Sequence, residues 1–260
     1  MNFGYENVVS KIKWADKHIT DFRSAAERFN KGKPYEFNVE KDSKTGQKTY
    51  VVTKVTPIPP EISLIIGDAL HSFRSALDCL ACCLVNANQG HITTSTCFPI
   101  TDAVPSSPSQ QASFDRKIAG MRQDAKDAIR AIRPYKGGDE TLWRLHRLNI
   151  TDKHRMLMAA ASAVSGANPG FTRQALASFV LKGGSLPNAL VPIANSFPLK
   201  PGYKFTFWDP KSQVNEQPYF LFEIAFNEPG VAEGEIVWRV LSKSSRRVKE
   251  VARELKPFLY

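Results

Sequence analysis

PEISLIIGDALHSFRSALDCLACCLV, Pro60 to Val85, is the stretch on which the fold turns, because its polar residues fall in helical register. At about 100° per residue, Asp68, His71, Ser75, Asp78 and Cys82 share one sector roughly 80° wide, and Ile, Leu, Phe and Ala dominate the rest. A helix this apolar is expected to be largely buried. A buried carboxylate or imidazole must find a partner or lose its charge, so another element should meet the polar seam. LWRLHRLNITDKHRML, Leu142 to Leu157, is the natural partner, with His, Asn, Asp, Lys and Arg interleaved among apolar positions.

Upstream, Pro57-Ile58-Pro59-Pro60 breaks the preceding segment and puts proline at the helix entry, where its missing N–H is harmless. Tyr35 to Val55 predicts a β-hairpin, because Tyr35, Phe37 and Val39 alternate, Asp42-Ser43-Lys44-Thr45-Gly46 supplies turn chemistry, and Tyr50 to Val55 is β-prone. Tyr5 to Asn30 predicts an amphipathic helix on Val8, Ile12, Ala15, Ile19, Phe22 and Ala26, ended by Gly32 and Pro34, with His18 off the apolar line and exposed.

Downstream, Asn86 to Ser113 has loop composition around Cys97-Phe98-Pro99-Ile100. Ser113 is placed to cap a helix from Phe114, Arg122 to Ile132 continues as helix, and Asp139 is placed to cap a helix from about Glu140 to Val164. Beyond Gly170 the period becomes two. Gln174 to Leu181, Tyr203 to Trp208, Tyr219 to Phe226 and Glu235 to Leu241 predict strands of an antiparallel meander, and Ser244 to Leu255 a closing helix with Arg246, Arg247, Lys249 and Arg253 on its outer face. The expected class is α+β: a helical half, about residues 1–165, with the hairpin inserted, and residues 166–260 forming an antiparallel sheet plus a C-terminal helix, packed as one unit if the hairpin joins that sheet.

The chain has 260 residues, 42% hydrophobic and 23% charged, which is the balance of a globular protein able to bury a sizeable core. It shows neither a run of about 18 apolar residues nor a signal-peptide layout at its start, so the expectation is a cytoplasmic protein without a membrane partner. Lys and Arg number 35 against 25 Asp and Glu, a formal charge of +10. That excess favours polyanions such as RNA, or an acidic protein. P-loop, GxGxxG and GxSxG patterns are absent, and no cofactor is expected.

Chemistry concentrates on the two polar helices. On the second, His146, Asn149 and Lys153 share one face with Asp152 at its edge, and Arg147 and His154 lie seven apart on another beside Trp143 and Ile150. One possibility is a structural network in which Asp68, Asp78, Arg74, Lys153 and Arg155 pair with one another. Another is general acid–base cleavage of RNA, with His71, His146 or His154 moving the proton, Asp78 as a partnering carboxylate, and Arg147 or Lys153 stabilising phosphorane charge. A divalent metal held by Asp68, His71, Asp78, His146 and Asp152, or zinc held by Cys79, Cys82, His91 and Cys97, is a weaker option, since CxxC pairs for structural zinc normally sit on turns. A homodimer or adaptor interface is the remaining one.

GDALHSFRSALD, Gly67 to Asp78, and LWRLHRLNITDKHR, Leu142 to Arg155, together resemble a family of uncharacterised bacterial and phage-borne proteins that carry a GD-x-LH-x-x-RSALD block followed by an LH-x-L-x-x-x-DKHR block. The resemblance covers about Ile62 to Met158 and implies no activity. Arg147 and His154, enclosing LNITDK, are also similar to the Arg, four to six residues and His on the active helices of HEPN ribonucleases. That similarity implies metal-independent RNA cleavage by a dimer, with Arg147 and His154 in the site.

Overall fold

The computed structural model describes residues 4–44, 48–157, 159–161, 166–168, 197–206, 219–221 and 223–260. The described residues form an α+β structure in which helices outweigh strands. Six helices are described: α1 (Tyr5–Lys31), α2 (Pro60–Ala87), α3 (Pro108–Lys117), α4 (Gln123–Ile132), α5 (Glu140–His154) and α6 (Val237–Leu255), the last followed by a 3-10 turn, Lys256–Leu259. The strands are β1 (Tyr35–Lys41), β2 (Lys48–Val55), β3 (Ala159–Ala161), β4 (Gly166–Asn168), β5 (Lys204–Thr206), β6 (Tyr219–Leu221) and β7 (Ile224–Phe226).

α2 is the central element and packs against α1, α5 and α6. More than half of its residues are buried, with Ile66, Leu70, Phe73, Leu77 and Leu80 fully so, and each such side chain contributes about 1.5–3 kcal/mol. Val8, Ile12, Ala15 and Phe22 of α1 close one side of the core, and Val237, Leu241, Val248 and Val251 of α6 close another. The sequence signals at the α2 entry hold, since Pro60 stands at the first helical position.

The hairpin of β1 and β2 pairs antiparallel, with a register shift between Glu36 and Phe37. β5 adds to β2 through Tyr50 opposite Phe205, so the hairpin does join a strand from the C-terminal half. Two further antiparallel pairs are β3 with β7 and β4 with β6. The expected strand Gln174 to Leu181 lies outside the described residues.

Four local expectations are corrected. Glu235 to Leu241 is not a strand: α6 starts at Val237, because Val237, Val240, Leu241, Ser244 and Val248 recur at spacings of three and four and are all buried. α3 starts at Pro108, not Phe114. Its cap is Ser107, whose hydroxyl accepts from Gln110 N at 3.3 Å while Gln110 Oε1 accepts from Ser107 N at 3.1 Å, a reciprocal box that outcompetes Ser113. α5 ends at His154 instead of reaching Val164, since Ala159–Ala161 ladders onto β7, a tertiary override of alanine's helix preference. His18 is not exposed: its side chain is 13% accessible, and its ring meets Trp14 edge-on with centroids 5.2 Å apart.

Candidate functional site

α2 and α5 pack against each other, and the meeting point near their rim is Gly67. A Cβ built there would overlap the Asp152 carboxylate, so glycine leaves room for that carboxylate to lie against α2. The polar seam itself has another orientation from the one the sequence implied. Asp68 and His71 are exposed, and Ser75, Asp78 and Cys82 are half-buried. The seam is the outward stripe of α2, opposite the Leu70 and Leu77 side, and its flanks are met by neighbours: Lys11 of α1 donates to Ser75 Oγ at 2.8 Å.

Asp78 and Arg74 form a clamp. Arg74 Nη2 lies 2.9 Å from Asp78 Oδ1 and donates to the Phe98 carbonyl at 2.7 Å, and Asp78 Oδ1 accepts from the Phe98 N–H at 2.9 Å. One ion pair, one turn apart on α2, thus ties down the Cys97–Ile100 strap, where Phe98 and Ile100 are fully buried. Arg74 is 6% exposed, so the clamp has the structural role expected of a network. Asn149 is 2% exposed on the same helix interface.

His146 faces this clamp from α5. Burial pushes its imidazole down to about 3, with the Arg74 and Lys117 charges adding to the effect. It is therefore a neutral ring at ordinary pH and a poor proton donor. His71 differs: it is exposed and close enough to Asp152 to counter part of the rise in that carboxyl, which burial and the Asp68 charge push above the usual range. Asp68, His71 and Asp152 are therefore the titratable groups gathered at the open end of the α2–α5 contact.

The other expected site residues are dispersed. Arg147 Nη1 reaches Asp102 Oδ2 at 3.3 Å, and Trp143 Nε1 donates to Asp102 Oδ1 at 3.1 Å. Lys153 and His154 are exposed at the end of α5 and form no ion pair among the described residues. Arg155 leaves the network for Glu228, a carboxylate only 3% exposed, at 2.6 Å. The four cysteines are unbridged. The Cys83 thiol one turn away, with Lys11 nearby, brings the Cys79 thiol down to about 7, and the same proximity together with burial pushes Cys83 up; the Cys83 thiol itself donates to the Gly4 carbonyl at 3.7 Å. Among the described residues no three His, Cys, Asp or Glu side chains converge as a metal site would need.

A second polar region lies on α6. Arg247, expected on its outer face, turns inward to Asp139, Glu250 and Glu254, and Lys249 reaches Asp16 at 2.7 Å. What remains outside is a row of Arg239, Lys243, Arg246 and Arg253, exposed and without a carboxylate partner among the described residues. At its start Trp238 is flanked by Arg239 and by Arg23 of α1, 5.8 and 5.5 Å from the ring centroid. The strand assignment of residues 235–241 hid Arg239 from this row. No protein-family model, no curated protein and no solved structure matches the chain. Among the described residues no helix is long and apolar enough to cross a membrane.

Proposed function

We propose that the protein binds single-stranded RNA or a similar polyanion along α6. The observation that carries this is the cationic row: Arg239, Lys243, Arg246 and Arg253 stand four, three and seven residues apart on the outward face, a stripe about 21 Å long at 1.5 Å per residue. Arg23 widens it at the Trp238 end. Unneutralised cations in a row displace the counterions condensed on a phosphate backbone, and their release favours binding; a flanking aromatic is common in such surfaces.

Fluorescence anisotropy of a labelled poly-uridine strand against salt concentration tests this. Four phosphate contacts give a log–log salt slope of about −2.8 for a single strand, and Arg239→Glu/Arg246→Glu should reduce it by about 1.4. A slope unchanged in the folded double variant, or no binding at low salt, refutes the α6 assignment.

Cleavage of the bound strand is a second reading, favoured by His71 at the open α2–α5 rim beside the Asp152 carboxylate. An exposed imidazole and a carboxyl that act on each other at one rim can divide the acid and base roles between them. EDTA-resistant cutting that vanishes in His71→Ala supports it, and an intact strand after prolonged incubation removes it.

A further inference from the structure

We infer that a cavity between the Thr101–Ser107 loop, α3 and the α4–α5 turn binds a nucleoside 5′-phosphate, with the base held against Tyr135 and Phe114 and the phosphate at Arg133. This goes beyond the α6 reading and uses none of its residues. The cavity measures about 420 Å³, inside the range of roughly 300–1,000 Å³ typical of small-molecule sites. Its lining is mixed, and the apolar part comes from Pro105, Pro134, the ring of Tyr135 and an edge of the largely buried Phe114. Proline and aromatic faces of this kind accept a planar ring by stacking.

Polar groups stand at one side. Gln111 and the Asp115–Arg130 pair, 2.9 Å between Oδ1 and Nη2, also line the cavity. The Gln111 amide has both a donor and an acceptor, and Asp115 has an oxygen beyond the one Arg130 takes, so this edge suits a base that presents N–H donors. Arg130 is neutralised by Asp115 and Asp127; Arg133, outside the lining itself, adjoins the cavity through the Tyr135 hydroxyl and is the cation placed to meet a phosphate there. The Arg133 guanidinium lies 5.7 Å from the Tyr135 ring centroid, donates to Tyr135 Oη at 3.1 Å and has no carboxylate partner among the described residues. Next to it Lys136 stands over Trp143, 4.7 Å from the ring centroid.

The turn that presents these groups is built rigidly. Arg133 sits in the left-handed region, at φ 57° and ψ 56°, a conformation unfavourable for a non-glycine residue and commonest where the surroundings enforce it. Its carbonyl accepts from both Tyr135 N and Asp139 N at 2.8 Å. Thr101 N donates to Pro134 O at 3.0 Å, and a Cβ at Gly138 would overlap the Arg133 carbonyl. Tyr135 and Arg133 are thus placed before any ligand arrives, which lowers the entropy lost on binding.

The test is calorimetric titration of the full chain with the four nucleoside 5′-monophosphates, the matching nucleosides, inorganic phosphate, a 5′-phosphorylated trinucleotide and a proline-rich peptide. Saturable binding of a monophosphate with a Kd of about 1 mM or tighter is expected, at least about tenfold tighter than its nucleoside. Tighter binding of the trinucleotide assigns the site to a strand end, and equal binding assigns it to the free nucleotide. Tyr135→Ala should weaken binding tenfold or more. Arg133→Gly, which suits the left-handed backbone while removing the side chain with its guanidinium, should abolish the advantage of monophosphate over nucleoside. Preference for the proline-rich peptide, no monophosphate binding, or binding unaltered in folded Tyr135→Ala and Arg133→Gly overturns the assignment. Arg246→Glu on α6 should leave the titration unchanged.

Discussion

Asp78→Ala should destabilise the protein by about 3 kcal/mol. The carboxylate has two structural duties, toward the Arg74 guanidinium and toward the Phe98 N–H, both at 2.9 Å. Removing one member of a fully buried pair costs about 3–5 kcal/mol, and a hydrogen bond to a charged group is worth about 1.5–3 kcal/mol. The two losses overlap, and the Asp78 side chain is 36% exposed whereas that of Arg74 is 8% exposed, so the expectation sits at the low end of the pair cost. In a chain of this size the melting temperature should fall by roughly 6–12 °C. Urea unfolding gives the number directly, provided m is unchanged. Asp78→Asn keeps an oxygen for the Phe98 N–H and loses the charge opposite Arg74, so it should show about half the effect, near 1.5 kcal/mol. An Asp78→Ala curve within about 0.5 kcal/mol of the parent, the range of an ordinary surface change, would refute the clamp.

Gly67→Ala should cost no more than about 1 kcal/mol, because its Cβ displaces only the tip of the Asp152 side chain, which can rotate away. In an Asp152→Ala background the same change should be neutral or stabilising by up to about 1 kcal/mol from helix propensity, and additive melts of the two variants would show that no close contact exists there. For His146 the folded value of about 3 lies below the ordinary 6.5, so between those pH values the unfolded chain takes up a proton that the folded chain refuses. Stability from this group is present above pH 6.5 and is lost as pH falls, by up to about 1.4 kcal/mol per unit. Urea melts from pH 7 to 4 should show a shallower pH dependence for His146→Gln, and parallel profiles would place the imidazole in solvent.

The helices with long, regular apolar spacing were legible in the sequence. α1 and α2 begin where their spacing and punctuation place them, and the hairpin follows from alternation and turn residues, whereas its junction with a later strand was left open by the sequence. Short segments were not, because IVWRVL satisfies a strand pattern over six residues and a helical one only when Ser244 to Leu255 is added to it. At the site, the register of Asp68, His71, Ser75, Asp78 and Cys82 was correct as a stripe but silent about direction. A polar stripe on an apolar helix can equally run out to water, and here Asp68 and His71 are exposed while Ser75, Asp78 and Cys82 are half-buried under neighbouring segments. The Arg74–Asp78 pair was foreseeable from its one-turn spacing, whereas Asp102 and Phe98 reach α5 and α2 from loops whose path no periodicity encodes.

The surplus of ten positive charges is spatially organised by what the carboxylates do inside the fold. Asp139 caps α5 through the Leu142 N–H and holds Arg247, and Glu250 and Glu254 converge on the same guanidinium. Asp16 ties α1 to α6 through Ser245 and Lys249, Glu228 takes Arg155, and Asp102 takes Arg147. Each of these acids is spent against a cation or a backbone donor that holds two segments together. The same α6 that needs Arg247 and Lys249 for packing therefore has Glu250 and Glu254 left on the side where Arg239, Lys243, Arg246 and Arg253 project, and both lean to Arg247. Such a row repels itself in the absence of a partner, and the field it casts extends about a Debye length, roughly 8 Å at physiological salt. Phosphates entering that field relieve the repulsion as well as gaining contacts, which is why the salt slope on α6, more than affinity at one salt concentration, is the quantity that separates a binding surface from a merely solvated one.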